Sequence, residues 1–484
     1  MFPVSVSAIR EAEALAVASG RQEYTLMYTA GRRAADILIA HYGCNCRYLL
    51  FCGGGNNGGD GMVTAAELFR RGAGVEVWAA REKSSFTGCA AQAAAELPGE
   101  IPFKLLSSQN ENPLAPGDIA VDALLGIGFD GGRLRREIAK AVEWINSAHV
   151  PVAALDLPSG VGGDNGRISP DGVVKAELTI AFGGVKSGLI TLPGSLYRGA
   201  LRMVDIGLPP MLPVGDIGVF TNLDAVKKVP RLPVDRHKNS AGAVAVWGGS
   251  EEFPGAPQLA ARGALRTGAG IVRVITPQNR TALDALIPVP PACRSAALKQ
   301  SRVLVCGCGW GGKVPPEYLA EALAFEGTLV LDADALNLTA RQPVMWNRKC
   351  RTVITPHPGE AARLAQGFDI PAALERPELA AALAKKLQAV TVLKGFDTLV
   401  AAPEGRVTLI AAGNAKLATA GSGDTHAGII GALCTFCSDE YEAAILGAYI
   451  HGIAGEKLTC GSCADDLSRL AGMVIDEIRR NRLF

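Results

Sequence analysis

Phe51-Cys-Gly-Gly-Gly-Asn-Asn-Gly-Gly-Asp-Gly61 follows the apolar run Tyr48–Cys52 and leads into a helical pattern over Met62–Arg71. Six of these eleven residues are glycine, so the backbone can turn sharply and present several N–H groups as a concave surface for an anion. Asn56 and Asn57 add amide oxygens that suit a hard monovalent cation or ribose hydroxyls, and Asp60 places a carboxylate near the helix start. The spacing is read as neither the Rossmann fingerprint nor the Walker A loop, and composition alone also allows a merely flexible turn. The glycines nevertheless recur in bursts: GIGFDGG at 126–132, GCGWGG at 307–312 and AGSGD at 420–424. The 57 glycines among 484 residues exceed the usual roughly 7% and form neither a collagen period nor a linker. Glycine after apolar β-type runs marks close approach of backbone to a ligand, here phosphate or nucleotide.

Outward from this stretch, short apolar runs bounded by Gly, Pro or Asp predict strands at Tyr48–Cys52, Val75–Ala79, Ile119–Leu124, Pro151–Leu155, Leu178–Phe182 and Leu201–Asp205. Helical patterns such as Leu134–Asn146 lie between them. Such alternation implies a parallel sheet covered on both faces, with ligands beyond the carboxyl ends of its strands. Pro209, Pro210, Pro213, Pro230 and Pro233 then interrupt the pattern, which places a domain junction near 212–230. The expected division is 1–212, a linker at 213–227, and 228–484. The rhythm restarts at Ala243–Trp247, Ile271–Thr276, Val303–Cys306, Thr328–Leu331, Thr352–Ile354 and Val390–Leu393. A hairpin follows, Thr398–Ala401 with Val407–Ile410, then helices over Asp424–Phe436, Glu440–Leu458 and Asp465–Arg479. The fold class is α/β in both halves.

Composition excludes other classes. Hydrophobic residues at 48% can build a core, so disorder is not the main state. Forty-eight Lys+Arg against 47 Asp+Glu leave a charge of +1 and no global field for nucleic acid or anionic lipid. The longest uncharged stretch, Thr425–Ser438, falls short of the about 20 residues a membrane helix needs. The first residues show no basic segment before an apolar one, so a cytoplasmic protein is expected. Its twelve cysteines are then reduced thiols.

GGGNNGGDG (53–61), VDALLGIGFDGG (121–132) and LDLPSG (155–160), in that order and spacing, resemble the YjeF N-terminal domain. The resemblance covers residues 1–212 and implies a Rossmann-like NAD(P)H-hydrate epimerase. It implies that Asn56, Asn57, Gly58, Gly59 and Asp60, then Gly126, Ile127, Gly128, Phe129, Asp130, Gly131 and Gly132, and Asp156, contact the hydrated dinucleotide. It also implies potassium held by Asn57, Asp122 and Ser159. Epimerisation at a ring carbon beside nitrogen, by hydroxide loss or by ring opening, needs a carboxylate to move protons. Asp122 is the candidate. Without the resemblance, Asp122 and Asp156 could equally cap turns.

Ala420-Gly-Ser-Gly-Asp-Thr-His426 precedes a second apolar helical run, where free N–H groups and the helix dipole favour a phosphate. Asp424, one step beyond, is placed to take a proton from a substrate hydroxyl. With GGSEEFPGA (248–256), VCGCGWG (305–311), LDADALN (331–337), TPHPGE (355–360) and VLKGFDT (392–398) upstream, the series resembles the YjeF C-terminal, ribokinase-like domain. The resemblance implies dehydration of the S form of NAD(P)H hydrate, NADHX or NADPHX, at the expense of ADP or ATP. Ala256, Gly309, His357 and Asp424 would face the hydrate. Lys394, Gly395, Phe396, Asp397, Thr398 and Gly423 would hold the adenine nucleotide, taken to be ADP with magnesium, and Asp424 would be the base. A ribokinase-like kinase fused to a non-catalytic binding module is the alternative.

Two departures from the family pattern stand out: Gly307-Cys308-Gly309 where GPG is usual, and Ala415-Lys416-Leu417 before the anion loop. Lys416 either adds charge at the phosphates or faces outward. Cys434/Cys437 and Cys460/Cys463 have a CxxC spacing, but the first pair falls in an apolar helical run where buried thiols are ordinary, which disfavours zinc. No nucleic-acid or membrane partner is expected, and a homo-oligomer is.

Overall fold

The computed structural model describes residues 1–278, 280–348, 351–459 and 461–480. The chain divides into two compact units, Met1–Gly215 and the residues from Asp216 onward.

The first unit is built on a parallel sheet of β1 (Arg47–Cys52), β2 (Gly74–Ala79), β3 (Phe103–Leu105), β4 (Ile119–Ala123), β5 (Val152–Leu155), β6 (Leu178–Phe182) and β7 (Ala200–Val204). Their order is β3-β2-β1-β4-β5-β6-β7. The strands read as continuous apolar runs because both faces are buried. Leu50 and Cys52 pack into one core with helices Glu23–Tyr42 and Asn56–Arg70; Leu49 and Phe51 pack into the other with helix Arg136–Ser147. In register, Phe51 lies between Trp78 of β2 and Asp122 of β4. The strand order reverses between β1 and β4, so the loops after these two strands splay apart and open a crevice. The strands expected from sequence in this half are present. Helices Val6–Ala18 and Glu23–Tyr42 and the short edge strand β3 were not foreseen.

The second unit contains β8 (Ile217–Phe220), β9 (Ala243–Trp247), β10 (Ile271–Ile275), β11 (Ile287–Val289), β12 (Val303–Cys306), β13 (Thr328–Leu331), β14 (Thr352–Ile354), β15 (Val390–Leu393), β16 (Leu399–Ala401) and β17 (Val407–Ile410). They form one sheet in the order β11-β10-β9-β12-β13-β14-β15-β16-β17-β8. Only the β15–β16 and β16–β17 pairs are antiparallel. The order again reverses, between β9 and β12, and the carboxyl ends of β12, β13 and β15 share one edge.

Two expectations need correction. The stretch 213–227 is not free linker: β8 hydrogen-bonds to β17, and helix Asn222–Lys228 follows under a Thr221/Asp224 capping box. Flanking prolines and Gly218 hid this short strand. The helix expected over Asp424–Phe436 spans Ser422–Leu433, so Cys434 caps its end and Cys437 lies beyond it. Cys460 of the second pair lies outside the described residues. Among the described residues, no helix is long and apolar enough to cross a membrane.

Candidate active sites

In the first unit, Gly53, Gly54 and Gly55 carry the chain from β1 into helix Asn56–Arg70. A side chain at Gly53 would collide with the Leu124 carbonyl, and one at Gly58 with the Gly53 carbonyl. Only glycine lets the turn fit under the β4 loop. Gly53, Gly55 and Gly58 stand at the G-x-G-x-x-G spacing of a dinucleotide turn, with the strand before and helix after that the turn requires. This corrects the expectation from sequence that the stretch does not match the Rossmann fingerprint.

Beside this turn lies a cavity of about 580 Å³, walled by Asn56, Asn57, Asp60, Gly126, Ile127, Asp156 and also Glu13, Phe182 and Lys186. The structure therefore brings the loops after β1, β4, β5 and β6 to one place. Gly58 and Gly59 are buried beneath it, where Gly59 packs against Met27 and its amide donates to the Gly55 carbonyl at 3.2 Å. Gly128, Phe129, Asp130, Gly131 and Gly132 do not line the cavity; they form a turn beyond it, in which Phe129 N donates to Gly126 O at 3.1 Å. Burial, with Asp156 and Glu13 adding, pushes the Asp60 carboxyl well above its ordinary range, and Glu13 is raised mainly by burial too.

Asp122, next to last in β4, is fully buried. Its Oδ1 accepts from Ser159 Oγ at 2.6 Å and Leu124 N at 3.1 Å, and its Oδ2 accepts from Ser159 N at 2.7 Å. Burial raises it to about 6, against the pull of those hydrogen bonds. Both oxygens are thus engaged with the chain, and the structure does not bring the residue expected as acid–base to the cavity wall. Asn57 Nδ2 donates to the Leu125 carbonyl at 2.8 Å and the Leu155 carbonyl at 3.2 Å, while its Oδ1 is buried without a partner. An orphaned amide oxygen with a carboxylate and a hydroxyl nearby in the fold is an all-oxygen donor set, suited to a hard cation.

In the second unit, Asp424 lies in the first turn of helix Ser422–Leu433, after Gly421 in the left-handed region at φ 86°. Cys308, after β12, and Asp332, after β13, place one ligand-type atom each within 4.8 Å of its carboxylate. Asp332 Oδ1 accepts from Lys394 Nζ at 2.8 Å and Thr355 Oγ1 at 2.7 Å. Burial, then the Asp332 charge, raises Asp424 to about 7. Burial raises Glu360 likewise to about 7. Lys394 would be lowered by burial, but Asp332 and Glu360 hold it above its ordinary value. An ideal Cβ on Gly423 would lie 3.2 Å from Lys394 Nζ, so the ammonium faces the anion loop.

The other expected residues surround this centre. Ala256 opens helix Ala256–Thr267, and Gly309, at φ 70°, packs against it and Phe253. His357 caps helix Pro358–Gly367, its Nδ1 accepting from Gly359 N at 3.0 Å; burial, with Lys394 nearby, lowers its pKa. Gly395, Phe396, Asp397 and Thr398 form the turn after β15, held by Arg376, which donates to the Phe396 and Asp397 carbonyls. Lys416 Nζ donates to the Leu458 carbonyl at 2.7 Å. Lys186, Glu13, Asp332, Glu360 and Cys308 were not assigned from sequence, although all but Lys186 and Glu13 stand inside quoted motifs.

Residues 244–475 match the family described as NAD(P)H-hydrate dehydratase, and residues 23–188 match that described as YjeF-related protein N-terminus. A bifunctional NAD(P)H-hydrate repair enzyme from Moorella thermoacetica is 36% identical over 466 residues, covering 89% of this chain and 87% of that one. Its counterpart from Coxiella burnetii is 36% identical over 469 residues, covering 93% of each. A solved ribokinase-like superfamily protein from Enterococcus faecalis is 22% identical, covering 57% of this chain and 98% of its own, with a TM-score of 0.48. With both halves matched and the identity sustained across the junction at Gly215, the chain belongs to the family of bifunctional NAD(P)H-hydrate repair enzymes.

Proposed function

We propose that the first unit interconverts the R and S forms of NAD(P)H hydrate and that the second dehydrates the S form at the expense of ADP. The desolvated Asp424 carboxylate at the start of its helix, with Lys394 and Asp332 beside it, carries this reading. Asp424 takes the proton of the ring hydroxyl, whose oxygen attacks the terminal phosphorus of ADP. The bond to the AMP oxygen breaks, with its electrons leaving on AMP. The ring nitrogen's lone pair then expels phosphate, and loss of a proton from the adjacent carbon restores the double bond. Phosphoryl transfer of this kind is mostly positioning and charge stabilisation, which the Gly421–Gly423 amides and Lys394 provide. ADP enters as its magnesium complex.

In the first unit, the glycine turn and the start of helix Asn56–Arg70 receive phosphate, while the cavity takes the hydrated ring. Asn57, Asp122 and Ser159 would hold potassium, whose charge would orient the loops after β1, β4 and β5. The choice of ADP over ATP rests on the family resemblance; a donor anchored at both the anion loop and the Lys394–Thr398 turn has its phosphate length selected by their separation. Lys416 Nζ is tied to the Leu458 carbonyl.

A mixed R/S hydrate offered with ADP tests the whole reading by recovery of dihydronicotinamide absorbance. Complete recovery is expected. Recovery of the S part alone would remove the role of the first unit, and a faster reaction with ATP, freed of ADP, would overturn the nucleotide assignment.

A further inference from the structure

The cavity of the first unit holds a charged group that the roles above leave unused. Lys186 is 1% exposed, yet it belongs to the cavity wall. One of its ammonium protons goes to Asp156 Oδ1 and one to the Phe182 carbonyl at 2.7 Å. The third has no partner among the described residues. Burying an ammonium is costly unless it is paired, and Asp156 is the pair. Asp156 itself sits at φ 67°, a strained conformation for a non-glycine residue that recurs at functional sites. That twist at the end of β5 sends Oδ1 to Lys186 and to the Phe182 amide at 3.3 Å, and leaves Oδ2 beside Gly126 at the cavity.

We propose that Lys186, paired with Asp156, is the proton-exchanging residue of the epimerase; this rests on the epimerase reading of the first unit. The Lys186 ammonium gives a proton to the ring hydroxyl. The carbon–oxygen bond breaks with its electron pair going to oxygen, water forms, and the ring nitrogen's lone pair makes the carbon–nitrogen double bond of an iminium. As Lys186 gives up its proton the pair loses one positive charge while the ring gains one, and the two changes offset in a desolvated cavity. Water then adds to the opposite face, the π electrons return to nitrogen, and the released proton returns to the Lys186 amine. Asp122 does not line this cavity.

Three variants test this: Lys186→Met, Asp156→Asn and the two combined. The full chain is assayed for conversion of the R form, for ADP-dependent dehydration of purified S form, and for thermal unfolding. Lys186→Met is expected to lose at least about 100-fold in R conversion while S dehydration is unchanged. Lys186→Met also strands a buried carboxylate and should unfold at lower temperature. The double variant should regain that stability and remain inactive. Conversion of the R form at the wild-type rate by Lys186→Met or by the double variant overturns the proposal alone. A wild type that does not interconvert the forms overturns the epimerase reading as well.

Discussion

Lys394 Nζ donates to Asp332 Oδ1 across 2.8 Å, and that carboxylate stands within 4.8 Å of Asp424. The ammonium is thereby fixed between an anion that holds it and a loop built to receive one. Replacing Asp424 by Asn keeps the shape and removes the base. Dehydration should fall by roughly 100- to 10,000-fold, with ADP and hydrate still binding in equilibrium titrations. Turnover like the wild type's would leave Asp424 as a helix-start residue only.

The same cluster sets a pH dependence. Burial and Asp332 raise Asp424 to about 7, and a general base works only when ionised. Dehydration should therefore decline as pH falls through about 7. Lys394 acts in the opposite sense on Asp424, so Lys394→Met should move this acidic limb to higher pH and Asp332→Asn to lower pH. The kcat/KM profile of each variant reports it; a limb unmoved in both would belong to another group.

Exchange of potassium for tetramethylammonium should slow epimerisation and spare dehydration. The orphaned Asn57 Oδ1, Asp122 and Ser159 all lie in the first unit. Parallel assays of the two activities decide this, since equal losses would mean a general salt effect.

At the end of β2, Arg81 lies over Gly54 and makes no hydrogen bond or ion pair among the described residues. In a Rossmann-like turn this is where an acidic residue takes a free ribose 2′-hydroxyl or an arginine takes a 2′-phosphate. Arg81→Ala should raise KM for the R form of NADPH hydrate about tenfold, a loss of about 1.4 kcal/mol, and leave that for NADH hydrate unchanged. Equal effects on both substrates would place Arg81 outside the adenosine end.

His426 and His451 stack at 4.6 Å on neighbouring helices, and both are nearly inaccessible. Burial holds His426 well below its ordinary pKa and lowers His451 to about 4. Below pH 6.5 the unfolded chain thus binds more protons than the folded one, and stability falls as pH drops from about 6.5 toward 4. The slope is at most about 1.4 kcal/mol per pH unit for each histidine. Raised Asp424 and Glu360 act oppositely, losing their contribution as pH rises through their range. Comparing thermal unfolding of wild type with His451→Gln isolates the histidine part, which should flatten the acid decline; parallel curves would refute it.

Most of the frame was legible because buried parallel strands are written as uninterrupted apolar runs: Leu49–Cys52 and Val303–Cys306 could face only the interior. The glycine loops were legible for the same steric reason that makes Gly53 irreplaceable. What escaped depended on distant partners. Ile217–Phe220 is a strand only because Val407–Ile410 is there to pair with it. Lys186 reads as an ordinary surface lysine until β5 and β6 bring it to Asp156. Asp122 looked like a free carboxylate because nothing local shows that Ser159, 37 positions on, takes both its oxygens.

That β8–β17 pairing bears on how the protein is made. Ile217 leaves the ribosome 190 residues before Val407, its partner in the finished sheet. At about 5–20 residues per second, the strand waits roughly 10–40 s with an unpaired edge. For that interval the nascent second unit has an open strand before its own sheet exists. A chaperone binding the emerging chain between Asp216 and Val229 would protect the stretch most exposed to misassembly during synthesis.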